Sequence, residues 1–425
     1  MQVSDNSVAK HLFYVAMMVT GMALSFGKWI LFAKFLLPAD FGAYSAVMAS
    51  IVIGTYIGAV GLNEHLIQEG SRSHGLGQIA EVHKLRDRSI AVGLLMAGLL
   101  TVPTLTVSYM NNWWNLKATD FILVCALLVS TVVFVIVDSS LRAEQRALPF
   151  AGMLFLRAVL LIVSGYALVP YLGISGIFLA ELASSVVAIL VSLWMWGPSP
   201  RLKALGLSLA VIISLIKRGF SFLKLQLLRY ASLVFDKWLV GWFIGMQALG
   251  QYSFLLITFL AFVAFAGVYN AVIIPRLISR YSKSNNLNAL VKANRIQVGV
   301  FIIGSLILMP IYLWAASELI ARHFSEYAFP HFFISLVFIY AGSMFHVATQ
   351  FFDSMFYALQ KQIELTFIAT LSLLLFGLYY FVAGELLTPS VLWFSLAFML
   401  TKVSWFLMTV VWFMKIKSSS VIIVC

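Results

Sequence analysis

The feature that most constrains this chain is the recurrence of apolar runs about twenty residues long over its whole length. Such a run forms a helix long enough to cross a hydrocarbon core about 30 Å thick. Charged residues are only 10% of the sequence and hydrophobic ones 62%, whereas soluble domains carry about 25% charged residues. The surface must therefore be solvated by lipid. Strand-type alternation is absent, which excludes a membrane β-barrel. In lipid every backbone polar group needs an internal partner, so the expected fold class is an all-α integral membrane protein.

The pattern predicts twelve transmembrane helices, at residues 11–36, 41–62, 89–109, 119–140, 149–169, 173–196, 217–244, 249–275, 295–316, 330–353, 363–383 and 390–414. Pro38, Pro149, Gly173, Pro198, Pro200 and Pro389 punctuate the turns between them. The first run ends in Leu37-Pro38-Ala39-Asp40 rather than a small-residue cleavage site, so it reads as an uncleaved first helix. The two cysteines, Cys125 and Cys425, imply no disulfide framework. The histidines lack metal-ligand spacing, and His65, His74 and His83 are assigned to a polar inner loop. No metal or cofactor is expected.

The net charge of +12 would point to nucleic acid in a soluble protein. Here it follows the loops. With the N-terminus cytoplasmic, the inner segments hold Lys10, then Arg72, Lys84, Arg86 and Arg88, then Arg142 and Arg146, then Arg201, Lys203, Lys217 and Arg218. Arg276, Arg280, Lys283, Lys292 and Arg295 follow, then Lys361, and finally Lys415 and Lys417. The outer loops hold only Lys117 and Arg322. That asymmetry is the positive-inside signature. It sets both termini in the cytoplasm and leaves no reason to invoke a nucleic-acid partner.

The chain also repeats itself. Phe41-Gly42-Ala43-Tyr44-Ser45 follows the first helix, and Leu249-Gly250-Gln251-Tyr252-Ser253 follows the seventh, 208 residues later. The same offset carries Lys10 onto Arg218 and Lys28 onto Asp236. Six helices per repeat is an even number, so both halves insert with the same orientation. Parallel repeats of this kind form two lobes with a substrate path between them. The expected lobes are 1–205, with helices one to six, and 206–425, with helices seven to twelve.

Apart from Lys217, Arg218 and Arg295 at inner helix starts, seven bases fall inside predicted helices: Lys28, Lys34, Arg157, Lys224, Arg229, Lys237 and Lys402. A charge at the bilayer centre costs roughly 2.5–3.5 kcal/mol, so each should face protein or water. Lys34 and Lys224 lie near helix ends and can snorkel to the interface. Lys28 shares a helical face with Tyr14, Gly21 and Ser25, a polar stripe suited to a cavity wall, or else it pairs with an acid on another helix. Gln226, Arg229, Asp236 and Lys237 share one face of the seventh helix. Glu181 pairs most economically with Arg157, while Lys402 has no acid nearby in sequence. Asp138 and Arg142, four residues apart, form a surface pair.

Several segments resemble a known family. Phe35-Leu36-Leu37-Pro38-Ala39-Asp40-Phe41-Gly42-Ala43-Tyr44-Ser45 is similar to the start of Wzx-type polysaccharide flippases. So are Phe235-Asp236-Lys237-Trp238-Leu239-Val240-Gly241, Leu141-Arg142-Ala143-Glu144 and Ile274-Pro275-Arg276-Leu277. These flippases belong to the multidrug/oligosaccharidyl-lipid/polysaccharide (MOP) exporter superfamily, and the resemblance spans nearly the whole chain. It implies two six-helix lobes around a central cavity, as in multidrug antiporters and lipid II flippases; the two extra helices usual in the latter find no room here. It also implies alternating access that moves an undecaprenyl-pyrophosphate-linked oligosaccharide, such as an O-antigen repeat unit, to the periplasmic leaflet of a bacterial inner membrane. The partners implied are that glycan-lipid, membrane lipids, a polysaccharide polymerase and a chain-length regulator.

The residues suit such a cargo. A pyrophosphate carries about two negative charges, and drawing it into a low-dielectric cavity requires fixed positive partners. The expected substrate-binding set is Lys28, Arg229, Lys237 and Lys402 with Ser25, Tyr14 and Gln226. Asp236, Glu181, Arg157 and Glu64 are candidates for gating or ion coupling. Tyr44, Tyr56, Tyr252, Tyr269, Asn270, His346 and Gln350 are further candidates for sugar contacts. A multidrug or cation antiporter would favour acids over bases inside the lobes. A polysaccharide polymerase would need an outer catalytic loop, and the loops near 110–118 and 317–329 contain no paired carboxylates.

Overall fold

A computed structural model describes the backbone of residues 5–110, 116–196, 207–284, 287–359 and 361–422. Side chains are described for these except at 5–12, 108–109, 196, 225, 229, 267–290, 292–293, 354, 357–358, 362 and 416–422. Among the described residues the protein is helical, with no strand.

The helices are α1 (Asp5–Phe35), α2 (Pro38–Ala59), α3 (Leu62–Gly75), α4 (Ile79–Met96), α5 (Val102–Met110), α6 (Ala118–Ala143), α7 (Ala147–Leu172), α8 (Ile174–Trp196), α9 (Leu209–Phe243), α10 (Met246–Ser284), α11 (Leu287–His323), α12 (Phe332–Ala358), α13 (Gln362–Phe381) and α14 (Val391–Ile422). Helices α4 and α5 are joined by a π-helical turn at Ala97–Thr101 and form one span. Among the described residues, eleven spans are long and apolar enough to cross a bilayer. The expected twelfth is α9, whose Lys217, Arg218, Lys224, Asp236 and Lys237 dilute its hydropathy.

Two features differ most from the sequence expectation. Residues 62–75, read as a polar loop, form α3, so His65 and His74 lie on a helix, and His83 lies on α4. Helix α4 also starts ten residues before the predicted 89. Hydropathy registers only the lipid-embedded part of a helix, whereas Lys, Arg, Gln and Glu continue a helix readily beyond it. A turn through Leu76 and Gly77, with Gly77 at φ 75°, joins α3 to α4.

The chain divides into two compact units. The first comprises Met1–Leu36 and Ala43–Val234, and the second Leu37–Gly42 and Phe235–Cys425. In the first, α7 packs on α1 and α8, and α6 packs on α3, α4 and α8. Its interior is aliphatic, with Phe134, Val137, Leu141, Met153, Ala188 and Ile189 in one cluster. Gly54 and Gly58 let α2 close on α6, since a Cβ at either would lie 2.9 Å from Leu128 or Val132. In the second unit α12 packs on α10, α11 and α14. Its core is aromatic, with Phe259 edge-on to Phe398 and Phe352 and Phe356 against Phe413. Large apolar side chains such as Leu99, Ile122, Val163, Ile307 and Leu374 point outward, the surface a bilayer solvates.

The repeated motif has a close-contact role within the second unit. A Cβ on Gly42 would strike the Met246 carbonyl and stand 2.9 Å from the Gly250 nitrogen. A Cβ on Gly250 would strike the Pro38 carbonyl. Pro38 and Met246 are themselves separated by the repeat offset of 208, so the contact is symmetric about the internal repeat.

Candidate functional site

The first unit holds a buried ionic node built from four helices. Glu181 on α8 is fully buried. Its Oε1 accepts from Lys28 Nζ of α1 at 2.5 Å and from the Tyr44 hydroxyl of α2 at 3.0 Å. Its Oε2 faces Arg157 of α7 at 3.5 Å. Tyr44 is held by Trp29, Phe32 and Phe178 at ring distances of 5.1, 5.7 and 6.2 Å. The Arg157 guanidinium lies 4.5 Å above Phe134. The expected Glu181–Arg157 pair is therefore present, but Lys28 is the closer partner of the carboxylate.

The second unit carries a corresponding node with the charges exchanged. Asp236 of α9 is buried, and its Oδ1 accepts the backbone N–H of Lys237 at 2.8 Å. Its Oδ2 accepts the Tyr252 hydroxyl of α10 at 3.1 Å, and Tyr252 meets Tyr380 of α13 at 3.0 Å. Lys402 of α14 is 1% exposed and interacts electrostatically with Asp236. Its ammonium is lined by Phe398, Trp405 and Phe259 at 5.4, 5.6 and 5.9 Å. Thus α1 supplies the base and α8 the acid in one unit, while α9 supplies the acid and α14 the base in the other. In both, the tyrosine of the repeated motif donates to the acid.

The other predicted residues fall elsewhere. Gln226 Nε2 of α9 donates to Glu64 of α3 at 3.2 Å, and beside them Tyr56 and Tyr230 stack at 4.2 Å. On α1, Tyr14 is half-buried and Ser25 exposed, while Gly21 packs against the α7 backbone. Lys34 and Lys224 are exposed, as expected for snorkelling bases. Asp138 and Arg142 pair at 2.6 Å as expected, but Asp138 is buried rather than at the helix surface. His346 and Gln350 bond to each other at 3.0 Å. The side chains of Arg229, Tyr269 and Asn270 lie outside the described residues. Tyr380 was not anticipated, because nothing in its local sequence marks it. By contrast, the roles of Tyr44 and Tyr252 could have been found from spacing, since each follows its repeat's intrahelical charge by sixteen residues.

His65 on α3 is buried beside Phe222. Burial, and then the nearby Arg218 charge, hold its imidazole below the usual value of 6.5. The unfolded chain therefore takes up a proton that the folded state resists, so stability is full above pH 6.5 and is lost as pH falls below it. His65→Gln is expected to flatten this decline in thermal unfolding midpoints measured between about pH 7.5 and about pH 5.5. An unchanged slope would assign the acid sensitivity to other groups.

Apolar spanning helices with charges held inside them define a multi-pass membrane protein, and solved structures show the same fold. An inward-facing multidrug resistance MATE family transporter of the MOP superfamily matches with a TM-score of 0.68 at 16% identity, covering 95% of this chain and 96% of the other. The lipid II flippase MurJ, in an inward closed conformation, matches with a TM-score of 0.70 at 15% identity, over 94% and 86%. A MOP superfamily transporter from Pyrococcus furiosus, described by the reverse polarity of its binding pocket, matches with a TM-score of 0.62 at 14% identity, over 93% of each chain. The chain belongs to the polysaccharide biosynthesis protein family, whose sequence model matches residues 31–320. No curated protein matches it.

Proposed function

We propose that this protein is a flippase that carries an undecaprenyl-pyrophosphate-linked oligosaccharide, an O-antigen or related repeat unit, from the cytoplasmic to the periplasmic leaflet by alternating access. The observation that carries this reading is the surplus of base over acid in each buried node. Glu181 stands against Lys28 and Arg157, and Asp236 against Lys237 and Lys402. Each node keeps one positive charge in excess. Such a surplus suits a pyrophosphate, whose roughly two negative charges need positive partners to offset their desolvation. A cation antiporter would need the opposite balance, and family membership supports a saccharide cargo.

In this reading the lobes are residues 1–205 and 206–425, in a bacterial inner membrane with both termini cytoplasmic. Lys28, Arg229, Lys237 and Lys402 create the positive field, with Ser25, Tyr14 and Gln226 on the polar walls. Asp236, Glu181, Arg157 and Glu64 serve ion coupling or gating. A polymerase and a chain-length regulator act on the product at the outer face. No chemical step is assigned to the protein.

The test is the sidedness of the lipid-linked repeat unit in cells lacking this protein. Accumulation on the cytoplasmic face with loss of surface polymer is the expected result. Repeat units that reach the outer face normally but stay unpolymerised would overturn the proposal and point to a polymerase or accessory factor.

A further inference from the structure

The carboxylate at the centre of the first node does not engage its two bases equally. Oε1 of Glu181 takes both Lys28, at 2.5 Å, and Tyr44, at 3.0 Å. Oε2 is left with one Arg157 amino group at 3.5 Å, the limit of a hydrogen bond. A guanidinium has five N–H donors in a rigid fork. Among the described residues Arg157 uses this one long contact, and its Nε is buried without an acceptor. Its side chain remains 23% exposed, twice the exposure of Lys28 at 12%. The ring of Phe134 supports one face of the guanidinium plane and leaves its edge as the polar surface. Lys28 is therefore committed to the carboxylate, whereas Arg157 is fixed in place, charged and short of acceptors.

We propose that the roles of the two first-lobe bases are exchanged relative to the assignment above: Arg157 is the anion-contacting residue, binding a phosphate group through its fork, and Lys28 acts as a positioning residue that holds Glu181 away from it. A planar fork matches two phosphate oxygens at once, which a lysine ammonium cannot do. Glu181 competes with the ligand for Arg157, and Tyr44 and Lys28 weaken that competition by drawing the carboxylate charge toward Oε1. This assignment rests on the flippase reading for its biological cargo, but the phosphate chemistry stands on the geometry of Arg157 alone.

The test uses the full-length purified protein in nanodiscs of phosphatidylcholine, titrated with inorganic pyrophosphate, and in parallel in nanodiscs containing phosphatidylglycerol. Arg157→Gln is expected to weaken pyrophosphate binding at least about tenfold, and Arg157→Lys by several-fold, because the charge survives but the fork is lost. Glu181→Gln is expected to strengthen binding several-fold, since the competing charge is gone while the amide carbonyl still accepts from Lys28. Opposite signs for Arg157→Gln and Glu181→Gln distinguish an anion contact from a merely structural pair, which would lower binding in both. If phosphatidylglycerol suppresses pyrophosphate binding in an Arg157-dependent way, a lipid headgroup can occupy the same site; if it does not, the site selects the free or terminal pyrophosphate. Binding by Arg157→Gln equal to wild type, or no gain in Glu181→Gln, overturns the assignment, as does wild-type protein that binds neither anion. Should either neutral variant fail to fold, Arg157→Lys carries the test, with several-fold weaker pyrophosphate binding supporting the assignment and wild-type binding overturning it. Failure of the flippase reading would appear separately, as normal sidedness of repeat units with pyrophosphate binding intact.

Discussion

Glu181→Ala is expected to be among the most damaging single substitutions in the protein, destabilising it by about 3–5 kcal/mol, the range for removing one partner of a buried ion pair. The carboxylate is fully buried, accepts from Lys28 and the Tyr44 hydroxyl, and faces the Arg157 guanidinium at 3.5 Å. Truncation would leave two cations facing each other inside the spanning region with no acid between them. The cost is therefore a stranded charge more than a lost contact. Lys28→Met combined with Glu181→Leu should accordingly cost less than the sum of the two single changes, because removing both leaves fewer uncompensated charges. Thermal unfolding of the detergent-solubilised protein, followed by fluorescence-detected size-exclusion chromatography, measures both. Additive losses would mean that Lys28 and Glu181 stabilise the fold independently, and the node as described would be wrong.

The second large effect is expected at the repeated glycines. Gly42→Ala and Gly250→Ala each place a methyl group against backbone rather than against a movable side chain. The new carbon on residue 42 meets the Met246 carbonyl, and the one on residue 250 meets the Pro38 carbonyl. Overpacking in cores costs about 1–3 kcal/mol even where neighbours can adjust; here the obstacles are helix-start peptide groups, so each change should reach or exceed the top of that range. The double variant should cost less than the sum, since the first substitution already forces the two helix starts apart. Folded yield and unfolding midpoint report the effect. Gly75→Ala, with open space around its Cβ, is the matched control and should be nearly neutral. Wild-type stability in Gly42→Ala would show that this close approach is dispensable.

The two predictions meet in one motif. In Gly-x-Tyr-Ser the glycine permits the close crossing at the helix start, and the tyrosine two residues later reaches the buried acid of its unit. The repeat thus conserves a geometry while exchanging the charges around it. Lys28 and Asp236 occupy equivalent positions, yet each finds a partner of opposite sign, Glu181 on α8 and Lys402 on α14.

Much of this architecture was legible before any coordinates. Apolar runs of bilayer length leave the backbone no alternative to helices, because lipid offers no hydrogen bonds. The offset of 208 was readable from the motif, and the cost of an intramembrane charge singled out Lys28, Arg157, Glu181, Asp236, Lys237 and Lys402. Helical periodicity reports which face a residue occupies; it carries no information about which helix lies opposite. The partners of Lys28 and Lys402 were therefore beyond its reach: Glu181 is 153 residues from Lys28 in sequence, and the Asp236–Lys402 approach is longer in range still. Helix α3 escaped notice because it is polar, and a helix outside the bilayer leaves no trace in a hydropathy pattern. What the sequence alone determined was the solvent, the secondary structure and the list of charges that had to be compensated. Only the tertiary structure decided how each was compensated, because pairing depends on which helix faces pack together, and that is settled by side-chain complementarity between segments far apart in the chain.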